Sequence, residues 1–145
     1  MRIDGQWRAT ASGARLPCID LEVRGADGRR VPATFIIDTG AERTTFTYDV
    51  VYALQLDPEP DDGTYLVGVG GASRAIRLAT ALLLPTGAGT SVPMNGVFYG
   101  FTDPISLDFS VLGRDVLGRF AVIVDRPANQ VTLLAGNHRY QVVAS

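Results

Sequence analysis

Phe35-Ile36-Ile37-Asp38-Thr39-Gly40-Ala41 is the stretch on which the reading of this chain turns. It closes residues 31–38, a segment predicted as a strand, and its apolar run without alternation predicts burial on both faces. A carboxylate then stands at the strand's end. Burying a lone carboxylate is costly, so its surroundings must offer donors or keep it protonated. Gly40 lets the backbone turn closely around Asp38 so that N–H groups can face its oxygens, and Thr39 adds a hydroxyl donor. Read alone, the same residues also suit a strand-end Asp that caps a turn, and a three-residue match is a weak signal.

Outward from this segment, short strands and turns alternate. Upstream, Ile19-Asp20-Leu21-Glu22-Val23-Arg24 switches between apolar and polar at each step, the pattern of a half-buried strand. Gly25-Ala26-Asp27-Gly28 supplies the turn into the strand over 31–38. Downstream, 48–54 has helical spacing with Val50, Val51 and Leu54 on one side, and 57–63 is a loop rich in Pro and Asp. A strand over 64–67 reaches Gly68-Val69-Gly70-Gly71 and returns over 73–84, which predicts a hairpin with a mobile, Gly-rich tip. After a loop at 85–91, residues 92–101 read as a strand interrupted at Asn95-Gly96. Phe109-Ser110-Val111-Leu112 is a short strand running into Gly113, and 114–120 a short helix. Residues 121–125 and 130–134 frame Arg126-Pro127-Ala128-Asn129 as a hairpin. So many short strands predict an all-β, barrel-like domain, one domain over 1–145, with 1–15 an extension of no assigned role.

Composition narrows the function. A chain of 145 residues can bury about 68–70% of its unfolded surface without staples. Thirteen basic and 15 acidic residues leave a net charge of −2 with no basic stripe, which argues against nucleic acid as a partner. The single cysteine, Cys18, can form no internal disulfide and lacks the Cys/His company of a zinc site. The single histidine, His138, reads as a surface residue. No run approaches the roughly 20 apolar residues of a membrane span, and Met1-Arg2-Ile3-Asp4-Gly5-Gln6 has no apolar signal core, so no membrane is implied and the chain reads as cytoplasmic. Gly68-Val69-Gly70-Gly71 lacks the Lys-Ser/Thr of a phosphate loop and full dinucleotide spacing, which disfavours a nucleotide site.

Two later motifs join Asp38-Thr39-Gly40-Ala41: the Gly-rich hairpin tip, which could close over a bound peptide, and Val111-Leu112-Gly113-Arg114-Asp115. Each alone fits a plain turn or a strand-to-helix connection. Together, in this order, they resemble the retropepsin family of aspartic proteases, from about residue 16 to about 135. The hairpin after the short helix looks more like the cellular and bacterial single-lobe branch, where this region helps to build a dimer sheet. The resemblance implies an all-β closed barrel with a short C-terminal helix and hairpin.

It also implies a mechanism. Aspartic proteases use two carboxylates that share a proton, and Asp-Thr-Gly occurs here once, so the second Asp38 is expected from a second copy in a homodimer. Thr39 would bond across the twofold axis, and Gly40 would approach substrate or water through its backbone. Gly68, Val69 and Gly70 would form a flap over an extended peptide or unfolded segment. Ile36, Ala41, Leu66, Phe109 and Val111 are candidate pocket walls, which implies apolar residues flanking the cut. Arg114 and Glu42 occupy the places of a supporting ion pair, while Arg43 stands where a second acid is usual. No metal or organic cofactor is implied, since water is the nucleophile. The alternative is a catalytically weak module of the same fold that dimerises or binds peptides; the intact Asp-Thr-Gly favours the enzyme.

Overall fold

A computed structural model of the chain describes residues 1–68, 71–104, 107–139 and 141–144. The strands are β1 (Arg2–Asp4), β2 (Gln6–Ala9), β3 (Arg15–Arg24), β4 (Arg30–Ile37), β5 (Thr45–Phe46), β6 (Tyr65–Gly68), β7 (Gly71–Pro85), β8 (Ser91–Phe101), β9 (Ser110–Leu112), β10 (Phe120–Asp125) and β11 (Gln130–Ala135). Two short helices interrupt them, α1 (Tyr48–Leu54) and α2 (Arg114–Leu117).

Eight strands form one sheet in the order β2-β3-β4-β9-β5-β8-β7-β6. It closes on itself because β3 also pairs with β7, through Glu22 with Leu83 and Val23 with Leu82. The barrel's core follows from the alternation along β3 and β4: Ile19, Leu21 and Val23 face inward with Val31, Ala33, Phe35 and Ile37, all buried. Phe46 packs between Phe35 and Phe98, with ring centroids 6.0 and 5.8 Å away. Helix α1 buries Val50 and Leu54 and ends at Gln55 in the left-handed conformation.

The structure departs from the sequence expectation at several elements, among them the unforeseen short strand β5. The end of β4 is not buried on both faces: Phe35 and Ile37 are buried, but Ile36 is only half-buried and Asp38 is exposed. Ile36, the middle of the three apolar residues, thus sits on the sheet's other face, which nothing in this protomer covers fully. Strand β8 runs unbroken through Asn95-Gly96, because an eleven-residue ladder with β7 holds both, opposite Ala81 and Thr80. Helix α2 stops at Leu117, shorter than 114–120, since Phe120 already belongs to β10. The N-terminal residues are two strands rather than an unassigned extension. Strand β1 pairs with β11 in a separate three-stranded sheet of order β1-β11-β10, and β2 pairs with β3. Among the described residues no helix is long and apolar enough to cross a membrane.

Candidate active site

The barrel's topology places Asp38. Strand β9 inserts between β4 and β5 and runs parallel to β4, with Ile36 beside Val111 and Ile37 beside Leu112. The two strands therefore end together, and the Asp38 N–H donates to the carbonyl of Leu112 at 3.2 Å. The chain then folds back sharply. The Ala41 N–H reaches both the Asp38 carbonyl, at 3.1 Å, and Asp38 Oδ1, at 3.2 Å. The Gly40 N–H donates to the same Oδ1 at 2.9 Å. A Cβ on Gly40 would lie 3.2 Å from that oxygen, tighter than most side-chain contacts, so the glycine keeps the loop close to its own acid. Oδ2 has no protein partner among the described residues.

Beneath this loop lies α2. The backbone N–H groups of Arg114 and Asp115 donate to the carbonyls of Ala41 and Glu42, at 2.9 and 3.3 Å. Gly113 permits that approach: a Cβ there would fall 2.5 Å from the carbonyl carbon of Arg43, so any other residue would push loop and helix apart. Asp115 then locks the joint. Its two oxygens accept from the Thr44 N–H at 2.9 and 3.0 Å, and Oδ1 also accepts from the Thr44 hydroxyl at 2.7 Å. The Gly113 N–H donates to that hydroxyl at 3.0 Å.

The expected Arg114–Glu42 ion pair is not formed. Arg114 Nη1 donates instead to the carbonyls of Thr39 and Gly40, at 3.3 and 3.2 Å. The Glu42 side chain is 77% exposed, and its nearest cation is Arg43 Nε at 4.0 Å. With α2 docked by backbone bonds, the guanidinium meets loop carbonyls first, and the Glu42 carboxylate keeps its water. Arg114 thus braces the Asp38 loop through main-chain oxygens, and the acid that holds the joint is the half-buried Asp115, to which the sequence reading gave no role.

An open cleft of about 860 Å³ lies over Asp38. One wall is the loop from Asp38 to Arg43 with Val111 and Arg114; the other is the β6–β7 hairpin, through Tyr65, Leu66, Val67 and Ser73. Of the expected site residues, the structure brings Asp38, Gly40, Ala41, Leu66, Val111, Glu42 and Arg114 to the cleft lining. Thr39 is exposed in the same loop but does not line the cleft. Ile36 and Phe109 are half-buried and do not line it either; neither is a pocket wall within this protomer. Gly68 pairs with Gly71 at the hairpin's end, and Val69 and Gly70 lie outside the described residues. Tyr99 and Phe101, from the end of β8, and Leu107 add apolar lining that the sequence reading missed. Nothing local marks them: Tyr99 and Phe101 reach the site because β8 runs parallel to β5, with Tyr99 beside Thr45.

The family model for aspartyl protease matches residues 19–116, which spans β3 to α2 and so includes the Asp38 loop and its support. A search of curated proteins finds no match. Among solved structures, EIAV protease complexed with the inhibitor HBY-793 is 21% identical, with a TM-score of 0.54 over 75% of this chain and 91% of that one. A retropepsin-like aspartic protease from Rickettsia conorii is 20% identical, with a TM-score of 0.54 over 92% of this chain and 90% of that one. The retroviral protease-like domain of Ddi1 from Leishmania major is 19% identical, with a TM-score of 0.50 over 82% of this chain and 94% of that one. At these identities the likeness is one of fold, and the fold agrees with the family match at the Asp38 loop: the chain belongs to the aspartyl protease family and has a retropepsin-like, all-β architecture.

Proposed function

We propose that this protein is an aspartic endopeptidase whose active site is completed by a second copy of the chain. The observation that carries the reading is Asp38 itself. It is exposed at the floor of an open cleft, with one oxygen held by two N–H groups and the other unengaged. Asp115, which secures the joint beneath the loop, has both oxygens engaged by contrast.

One carboxylate cannot both activate water and polarise a carbonyl. In a twofold dimer the two Asp38 side chains face each other, and repulsion between neighbouring carboxylates keeps one proton on the pair. The ionised member takes a proton from the water between them as its oxygen attacks the scissile carbonyl carbon. The protonated member donates to the carbonyl oxygen, and the tetrahedral intermediate collapses when a proton passes to the leaving nitrogen. Thr39, exposed and outside the cleft, is placed to bond to the other subunit's loop. Gly40 offers its backbone to the peptide. The β6–β7 hairpin acts as the flap, and an extended peptide lies between it and the loop, bound as an added strand. Ala41, Leu66 and Val111 favour apolar side chains beside the cut, and Ile36 and Phe109 contribute only if the partner's cleft reaches them.

The test is a peptide mixture incubated with wild type and with Asp38→Asn from acidic to neutral pH, with products identified by mass spectrometry. Cleavage that drops at least about a hundredfold in the variant is expected, in line with the contribution of general acid–base groups. No cleavage by a protein shown to be dimeric would replace the enzyme with a peptide-binding module of the same fold.

A further inference from the structure

Arg43 stands in the cleft where the wall is otherwise mostly apolar, and its charge is largely unspent. It lines the same cavity as Asp38, and its side chain is 49% exposed. Its guanidinium carbon lies 5.9 Å from the centroid of the Tyr99 ring, another lining residue, which orients the planar group without neutralising it. Its nearest acid is Glu42, at 4.0 Å and 77% exposed, a contact too long and too wet to count as a firm pair. The other cation of the lining, Arg114, already donates to the carbonyls of Thr39 and Gly40. The backbone at Arg43 cannot drift, because its carbonyl accepts from Thr45 Oγ1 at 3.3 Å and the next residue, Thr44, is locked by Asp115.

A planar cation on a fixed backbone, lying over the Tyr99 ring and open to the cleft, can present the forked geometry that matches a carboxylate. We propose that Arg43 sets substrate choice by pairing with an Asp or Glu side chain of the peptide at a flanking position, so that the preferred substrate combines apolar residues beside the cut with an acidic residue farther along. This rests on the reading of the cleft as a peptide site. Glu42 lines the same cleft, but its side chain is 77% exposed, so solvent screens its carboxylate from a peptide acid held at Arg43.

The experiment uses a cleaved parent peptide and matched versions carrying Asp, Asn or Lys at each flanking position in turn. Wild type is expected to prefer Asp over Asn about fivefold in kcat/KM at one position, the scale of a partly exposed ion pair. The preference should narrow as salt is raised. In Arg43→Gln the Asp/Asn ratio should fall to about one, and in Arg43→Glu the preference should turn towards Lys, which a merely structural role would not produce. An Asp preference that survives in Arg43→Glu, or none in wild type, overturns the assignment. A second arm measures binding of the same fluorescein-labelled peptides to the Asp38→Asn protein and to that protein with Arg43→Glu added. If wild type cuts nothing but binding shows the Arg43-dependent preference, the enzyme reading fails and this inference stands. Cutting with no such dependence gives the reverse, and neither cutting nor binding overturns both.

Discussion

Thr44 is fully buried, and both of its hydrogen-bond donors depend on one side chain, Asp115. Removing an acceptor from a buried donor exposes that donor's full desolvation cost, about 1–3 kcal/mol for each group. Asp115→Ala is therefore expected to lower unfolding stability by about 3 kcal/mol, read from denaturant midpoints. Asp115→Asn, which keeps one carbonyl oxygen, should lose less; equal losses would mean that the carboxyl merely fills space. The turn of the loop around Asp38 was legible in sequence, because Gly40 allows the close approach by which N–H groups reach the Asp38 carboxylate. Arg114 was legible as a brace but not in its partner. Its reach to the carbonyls of Thr39 and Gly40, rather than to Glu42, depends on how α2 docks, and no local pattern encodes that.

Among the elements, β2, β3 and β4 are tied on their outer face by Asp20. It accepts from Arg8 Nη2 at 2.5 Å, from Thr34 Oγ1 at 2.6 Å and from Gln6 Nε2 at 3.3 Å. Partial burial pushes its carboxyl up, but the Thr34 hydroxyl and the Arg8 guanidinium outweigh that, and its pKa lies below the ordinary value. A carboxyl depressed by folding adds stability that is fully present above the unfolded value, about 4, and is lost as pH falls through the folded one. Asp20→Asn should thus flatten the decline of the urea midpoint at acidic pH while costing some stability at neutral pH. An unchanged acid limb would remove Asp20 from the account. Most strands were readable from alternation and turns, and α1 matches its expected bounds. Strands β1 and β2 were not read, although Ile3 and Trp7 with polar neighbours hint at them. Strands of three and four residues give too few alternations, and β1 is defined by its distant partner β11.

For the whole molecule, the proposed dyad makes activity a property of assembly. A protomer holds one Asp-Thr-Gly loop, so specific activity should fall on dilution, tracking the monomer–dimer equilibrium measured by sedimentation. Activity that stays constant down to concentrations where only monomer sediments would rule out a shared active site. The sheet β1-β11-β10 is the surface to watch, since Phe120, Ala121, Val122 and Ile123 are all half-buried in the isolated protomer, neither sealed in the core nor fully wet. The sequence by itself determined the fold class and the position of Asp38 at a strand's end, because strand alternation and turn residues are local properties of the chain. Only the tertiary structure decided which side chains share the cleft, that Asp115 rather than Glu42 secures the loop, and that Arg43 meets Tyr99. Those depend on β9 inserting between β4 and β5 and on β8 lying along β5, contacts between residues tens of positions apart whose pairing is set by barrel closure and packing rather than by their neighbours in sequence.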